Sequence, residues 1–214
     1  MTAPRPADGP LAALVRAHDR AFAAVERALE PWFLGLAARL VFAAVLFGYY
    51  WAGALTKIGD GVLGVFTISD GAYMQILPSV MEANGYDSSA IATFPWGLIV
   101  AAGTYAEFLL PALIVLGLAT RLSALGMLVF VAVQSWVDVA FHGVDAATIG
   151  ALFDRLPGSA ILDQRLLWAF LLLVLAVKGP GRASLDALAR RGLFGREGAG
   201  SAPRAAVAAA DGEP

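Results

Sequence analysis

The chain has no cysteine, only two histidines and little charge for its 214 residues. Without cysteine it cannot form disulfides, thiolate metal ligands or iron–sulfur clusters. The two histidines, His18 and His142, lie far apart in the sequence, and we expect no metal site built on histidine. The phosphate-binding loop, the dinucleotide-binding glycine pattern and the H-E-x-x-H motif are also missing. We therefore expect neither a protein-bound metal nor a flavin.

The balance of charged and apolar residues is unlike that of a soluble protein. Charged residues make up 15% of the chain and hydrophobic residues 59%, whereas soluble domains carry about 25% charged residues. So few polar groups cannot cover a surface in water, and part of that surface must face lipid. The formal net charge of −2 excludes a nucleic-acid partner bound by bulk positive charge. The composition therefore predicts a membrane protein.

Four apolar segments are long enough to cross a bilayer, since a membrane helix needs about 20 mostly apolar residues. We predict an all-α membrane four-helix bundle with spans at residues 34–56, 96–118, 122–141 and 160–178. A segment at 1–33 precedes the bundle, which covers 34–178. A tail at 179–214 follows, and we expect disorder from about residue 195. The first 33 residues show no secretory signal pattern, so we expect the first span to direct insertion.

The basic residues are distributed unevenly about these spans. Twelve lie in the N-terminal segment, at the start of the first span, between the second and third spans, and in the tail, against three elsewhere. The positive-inside rule then predicts a bacterial inner-membrane protein with both termini in the cytoplasm and the two long loops outside.

Short amphipathic helices are expected outside the spans. Apolar residues in 1–33 recur at helical spacing, a pattern typical of a helix on the membrane surface or against a partner. In the loops, Ser69 is a candidate cap for a helix ending at Asn84, and Asp145 for a helix ending before Pro157.

Several polar side chains fall inside the predicted spans, where a charge costs about 2.5–3.5 kcal/mol. At about 1.5 Å of rise per residue, one layer contains Glu107, Gln134, Asp138, Asp163 and Arg165, with Tyr50 level with Asp138. Gln134, Asp138 and His142 are spaced i, i+4, i+8 and share one face of the third span. Arg39 lies near the cytoplasmic end of the first span, and we expect its side chain to extend to the membrane surface.

Three interpretations of the polar layer are open, and in one of them its charged side chains simply extend to the outer membrane surface. Arg165 can pair with Asp138 or Glu107 and hold the helices together. Alternatively, the layer is a ligand site in which buried carboxylates relay protons. The catalytic candidates are then Glu107, Asp138 and Arg165, and the cofactor-binding candidates are Gln134, Tyr50, His142 and Asp163.

Short motifs in and between the spans are also informative. They are Arg39-Leu40, Gly53 with Lys57, Ala106-Glu107-Phe108-Leu109, Leu116-Gly117-Leu118-Ala119-Thr120-Arg121-Leu122, and Lys178-Gly179-Pro180-Gly181-Arg182-Ala183-Ser184-Leu185-Asp186. With these motifs, over about residues 32–188, the chain resembles the DoxX family of four-helix integral membrane proteins.

The resemblance implies an inner-membrane protein, related to subunits of thiosulfate:quinone oxidoreductases. On that basis we expect a redox membrane subunit that interacts with quinone, relays protons and receives electrons from a soluble cytoplasmic or periplasmic partner. Two alternatives stay open. One is a non-catalytic scaffold or accessory protein for an oxidative-stress system or for the maturation of metal-binding peptides. The other is a small-solute transporter, which four helices could form only as a homo-oligomer. Whether the protein is itself an enzyme also stays open.

Overall fold

The computed structural model describes residues 9–194, and the side chains of residues 9–191. Within this range the chain is helical and contains no β-strand. The predicted disorder from about residue 195 lies outside the described residues.

Four helices are long and apolar enough to cross a membrane. They are span 1 (Phe33–Leu55), span 2 (Thr93–Leu116), span 3 (Thr120–Ala140) and span 4 (Ala160–Lys178). Their limits lie within three residues of those expected from the sequence, so the prediction of four such helices is confirmed. Two of them contain a wide π-helical turn, at Ala43–Phe47 and Ala160–Arg165, whereas the start of span 2 is kinked at Phe94, whose backbone is extended.

Shorter helices lie before, between and after the spans. They cover Pro10–Leu29, Asp70–Ile76, Pro78–Ala83, Ala146–Ile149 and Leu185–Phe194. The first of them has no buried side chain, as a helix on a membrane surface requires.

The caps predicted for the loop helices have different outcomes. Asp145 accepts a hydrogen bond from the Thr148 N–H at 2.6 Å, so this predicted cap is confirmed. Ser69 precedes a helix, but its hydroxyl donates to the Thr56 carbonyl at 3.1 Å instead of capping. The expected helix to Asn84 is interrupted before Pro78, because a proline ring disfavours helical geometry in the residue before it.

The four spans pack side by side, with consecutive spans in contact and span 1 against span 4. The buried core includes Phe42, Leu46, Tyr50, Ile114, Met127, Leu172 and Leu175. The outward faces are apolar as well, with Leu109, Val129 and Phe170 between 59% and 65% exposed. Extensive exposed apolar surface is unfavourable in water and suits lipid. These features are those of a membrane protein.

The described chain begins and ends at one end of the spans, called here the terminal end, and the two long loops lie at the opposite end, called here the loop end. Arg39 ties the terminal end together. Its guanidinium donates hydrogen bonds to the carbonyl oxygens of Ile114 (3.1 Å), Val115 (2.5 Å), Pro180 (3.3 Å) and Ala183 (2.5 Å). The expectation that Arg39 extends to the surface is wrong. The carbonyls at the end of span 2 lie beyond the regular helical hydrogen bonds, and that of Ile114 also accepts from the Gly117 N–H at 3.0 Å. These carbonyls hold the Arg39 side chain inside, and the residue is 9% exposed.

Asp186 closes the same end from the chain that follows span 4. Its carboxylate accepts hydrogen bonds from the N–H groups of Ala119 (2.8 Å) and Thr120 (3.0 Å). These groups start span 3 and lack helical partners, and an anion is favoured at such a position. Gly35 permits the close packing here, because a β-carbon at this position would lie 2.5 Å from the Gly179 carbonyl oxygen.

Candidate functional site

A cavity of about 500 Å³ lies between spans 2 and 3. Its polar lining consists of Lys57, Gln75, Glu107, Gln134, Asp138 and His142. Three of its apolar lining residues, Ile99, Val129 and Val133, are 43%, 64% and 51% exposed. Because these side chains lie on the outer surface of the spans, the cavity opens sideways to the lipid-facing surface. Its volume is within the range of about 300–1,000 Å³ that is typical of small-molecule sites.

Glu107 forms an ion pair with Lys57 in the wall of the cavity. Lys57 Nζ lies 2.7 Å from Glu107 Oε2, and the two side chains are 8% and 6% exposed. The contact is an ion pair rather than an aligned hydrogen bond. The lysine side chain folds back toward span 1, where Nζ donates to the Gly53 carbonyl at 3.1 Å. A β-carbon at Gly53 would lie 2.7 Å from Glu107 Oε1, so the glycine leaves room for the carboxylate.

Arg165 pairs with Asp138, which is one of the two partners that the sequence left open. Arg165 Nη2 lies 2.5 Å from Asp138 Oδ2, and Nη1 donates to the Ser135 hydroxyl at 3.1 Å. Ser135 and Asp138 are both on span 3, so the contact joins this span to span 4. The alternative pair with Glu107 does not form, because that carboxylate is held by Lys57.

The buried charges beside the cavity cancel in pairs. Lys57 offsets Glu107, and Arg165 offsets Asp138. A net charge in a low-dielectric site is costly to bury. A ligand that leaves both pairs intact is therefore expected to be uncharged.

Six buried polar atoms on the spans have no hydrogen-bond partner among the described residues. They are the hydroxyls of Tyr50, Thr104 and Thr120, Glu107 Oε2, which lies in the ion pair with Lys57, Gln134 Oε1 and Arg165 Nε. Each unsatisfied buried polar group costs about 1–3 kcal/mol. Of these residues Glu107 and Gln134 line the cavity, and Gln134 Oε1 is an acceptor there that a ligand or solvent can satisfy.

The loop helix Asp70–Ile76 covers the polar end of the cavity. His142 Nε2 lies 3.1 Å from the backbone oxygen of Gln75. On span 2, a β-carbon at Gly103 would lie 3.1 Å from Cδ1 of Ile76. The helix therefore reaches span 2 and the end of span 3 together, and it separates the cavity from the loop end.

The structure brings most of the candidate residues together. Four of the seven line the cavity: Glu107, Gln134, Asp138 and His142. Gln134 and Asp138 lie on one wall, as their spacing on the third span indicated. His142 also lines the cavity, but from the turn after span 3 ends at Ala140, so the expectation that it continues this helical face is wrong. Arg165 lies behind this wall and reaches the cavity through Asp138.

Two further candidates, besides Arg165, do not line the cavity. Tyr50 lies in the buried core between the spans, and the hydroxyl that accepts a hydrogen bond from Gln134 is that of Tyr49, at 3.0 Å. Asp163 accepts a hydrogen bond from the Ser159 N–H at 2.8 Å and stabilises the start of span 4. Neighbouring side chains on a helix point in different directions, so the estimated depth along the span alone did not distinguish Tyr49 from Tyr50.

Lys57 and Gln75 line the cavity but were not among the candidates. The sequence holds a signal for Lys57, since Gly53 and Lys57 are spaced i, i+4 at the end of an apolar run and belong to the motifs of the family resemblance. Gln75 has no such signal, because its contact with His142 uses a backbone oxygen.

Within residues 9–194, no three His, Asp or Glu side chains converge as a metal site would require. Comparison with protein-family models, with curated proteins and with solved structures finds no match for this chain.

Proposed function

We propose that the protein is a DoxX-like membrane subunit of a redox assembly, and that its cavity binds the headgroup of a quinone. Both termini are then cytoplasmic, and the polar end of the cavity faces the outside of a bacterial inner membrane. A soluble partner supplies the electrons. One observation carries the proposal: a cavity open to lipid, without net charge in its buried walls, that presents hydrogen-bonding side chains.

A quinone headgroup suits the chemistry of these walls. It is an apolar ring with two oxygens, which accept hydrogen bonds in the quinone and donate them in the hydroquinone. Gln134 and His142 can both donate and accept. Reduction consumes two electrons, which come from the soluble partner, and two protons. Glu107 and Asp138 are ionised in their pairs at rest, and each takes up a proton transiently and passes it to a quinone oxygen, which restores the pair.

The scaffold interpretation is supported by a different observation. The Lys57–Glu107 pair joins the end of span 1 to span 2, and the Arg165–Asp138 pair joins span 4 to span 3. Ion pairs that join neighbouring spans can stabilise the bundle, so they account for the buried charges even if the protein catalyses no reaction. In this interpretation the cavity is filled by membrane lipid.

Quinone binding separates the two interpretations. The protein, purified in nanodiscs, would be titrated with a tail-less quinone by isothermal calorimetry, and a parallel sample extracted and analysed for co-purified quinone. Gln134→Leu removes a hydrogen-bonding group from the cavity and should weaken binding by about tenfold or more, since such a bond contributes roughly 1–3 kcal/mol. Gln164→Leu is the matched control, because Gln164 is exposed on span 4 and does not line the cavity.

Saturable binding that Gln134→Leu weakens and Gln164→Leu preserves is the expected result. If the unaltered protein neither binds nor co-purifies with a quinone, the redox proposal fails and the scaffold is favoured. Binding that is unchanged in both variants would place the quinone outside this cavity and overturn the proposed site.

A further inference from the structure

The cavity has an apolar part that the headgroup does not use. We infer that this part is a tail subsite between spans 2 and 3, and that it holds the isoprenoid tail of a quinone whose headgroup lies toward the loop end. The inference rests on the proposed function and adds the orientation and the hydrophobic portion of the ligand.

Along span 3 the lining of the cavity changes from polar to apolar in one direction. Toward the loop end it consists of Asp138, Val137 and Gln134, with His142 just past the span, and toward the terminal end of Val133, Phe130, Val129 and Gly126. On the facing wall, span 2 contributes one charged residue, Glu107, whose charge is offset by Lys57. From Gln134 to Gly126 the apolar part extends about 12 Å, at about 1.5 Å per residue. An amphiphile matches this lining in one orientation only.

The subsite is closed toward the terminal end of the spans and open toward the lipid-facing surface. A β-carbon at Gly126 would lie 3.1 Å from both methyl groups of Leu110, so spans 2 and 3 are in contact at this level. Nearer the loop end, the cavity separates the spans, and its rim is formed by Val129 and Val133, at 64% and 51% exposed. The polar end is covered by the helix Asp70–Ile76. A ligand therefore enters from the lipid, past the rim.

The charges of the site favour a quinone over a phospholipid as the source of the tail. A phospholipid phosphate would need a cation to bind. Lys57 and Arg165 are both paired with carboxylates, at 2.7 Å and 2.5 Å. If a phosphate took the place of either carboxylate, that carboxylate would be left buried without a partner. An uncharged headgroup leaves both pairs in place.

The test is photo-crosslinking in nanodiscs with a quinone that carries a diazirine in its isoprenoid tail. Labelled peptides should come from the part of spans 2 and 3 that contains Leu110 and Val129, and an excess of tail-less quinone should compete. Val129→Phe fills the subsite and should lower labelling by about tenfold, since displacing two buried methylene groups costs about that much affinity. Val45→Phe is the matched control, because Val45 is 58% exposed on span 1 and does not line the cavity.

The outcomes distinguish failure of the tail subsite from failure of the proposed quinone-binding function on which it rests. Labelling that tail-less quinone competes away, but that maps elsewhere or is unchanged by Val129→Phe, overturns the tail subsite and leaves headgroup binding intact. Labelling that tail-less quinone does not compete overturns both. A phospholipid with a diazirine in an acyl chain serves as the second probe. If it labels the same peptides and the quinone probe does not displace it, the occupant is a lipid and the inference is wrong.

Discussion

Replacing Gly53 with alanine is the sharpest test of the ion pair in the cavity wall, because span 1 holds a matched control. A β-carbon at Gly53 would lie 2.7 Å from Glu107 Oε1, whereas a β-carbon at Gly48 would have no atom within 4 Å. Gly48→Ala should stabilise the protein by about 0.5–1 kcal/mol, since alanine is preferred to glycine inside a helix. At Gly53 the same gain in stability is opposed by the close contact between the new β-carbon and the Glu107 carboxylate.

The size of that opposing effect can be worked out from the geometry. Ordinary contact with a β-carbon begins at 3.4 Å, so the carboxylate must withdraw by 0.7 Å (3.4 − 2.7). If its separation from Lys57 Nζ grows from 2.7 Å by the same amount, the attraction weakens by about 1 kcal/mol at an effective dielectric constant of about 20. Complete loss of a buried pair costs roughly 3–5 kcal/mol. Gly53→Ala should therefore be less stable than Gly48→Ala by about 1–5 kcal/mol.

The assay is unfolding in mixed micelles as the fraction of SDS is raised, followed by circular dichroism, which gives the free energy of unfolding of each variant. A third comparison isolates the cause. In a Glu107→Ala background the carboxylate that the new β-carbon would meet is absent, so Gly53→Ala should stabilise the protein as Gly48→Ala does. Equal shifts for the two glycine variants in the unaltered background would refute the argument that Gly53 makes room for the carboxylate.

The remaining contacts and the topology give three more expected outcomes. Arg39→Lys should destabilise the protein by roughly 1–3 kcal/mol in the same SDS titration, because one ammonium cannot reach all four carbonyl oxygens and leaves buried acceptors unpaired. Arg165→Leu should cost roughly 3–5 kcal/mol and more than Asp138→Asn, because asparagine keeps an acceptor for the guanidinium; unchanged thermal stability of Arg165→Leu in detergent would contradict the pair. Reporters fused at Gly85 and at Gly198 should lie in opposite compartments, and the same compartment at both positions would overturn the four-span topology.

The spans could be predicted from the sequence because hydropathy and length decide them locally. A run of about 20 apolar residues has few alternatives to a membrane helix. The face shared by Gln134 and Asp138 was visible for a similar reason, since i, i+4 spacing fixes direction within one helix. The Asp145 cap was also local, because the acceptor and the N–H lie three residues apart.

The contacts between spans could not be predicted in this way. Spans that are hydrophobic nearly all round do not show which face meets which neighbour, so the partner of Arg165 stayed open. Lys57 lies beyond the apolar run, and nothing in a linear count shows that its side chain folds back to Glu107. The acceptors of Arg39 are backbone carbonyls, which have no sequence signature, and an arginine near a membrane surface usually extends to water.

The four hydrogen bonds of Arg39 also bear on the order in which the protein is made. The carbonyl of Ala183 is separated from Arg39 by 144 positions along the chain, so it is synthesised only after all four membrane helices. Until then the guanidinium has acceptors in span 2 alone. Asp186, which satisfies the first N–H groups of span 3, comes later still. The last part of the described chain to leave the ribosome thus completes contacts begun by the first membrane helix, and a chain that ends before Pro180 would lack two of the four acceptors for a buried cation.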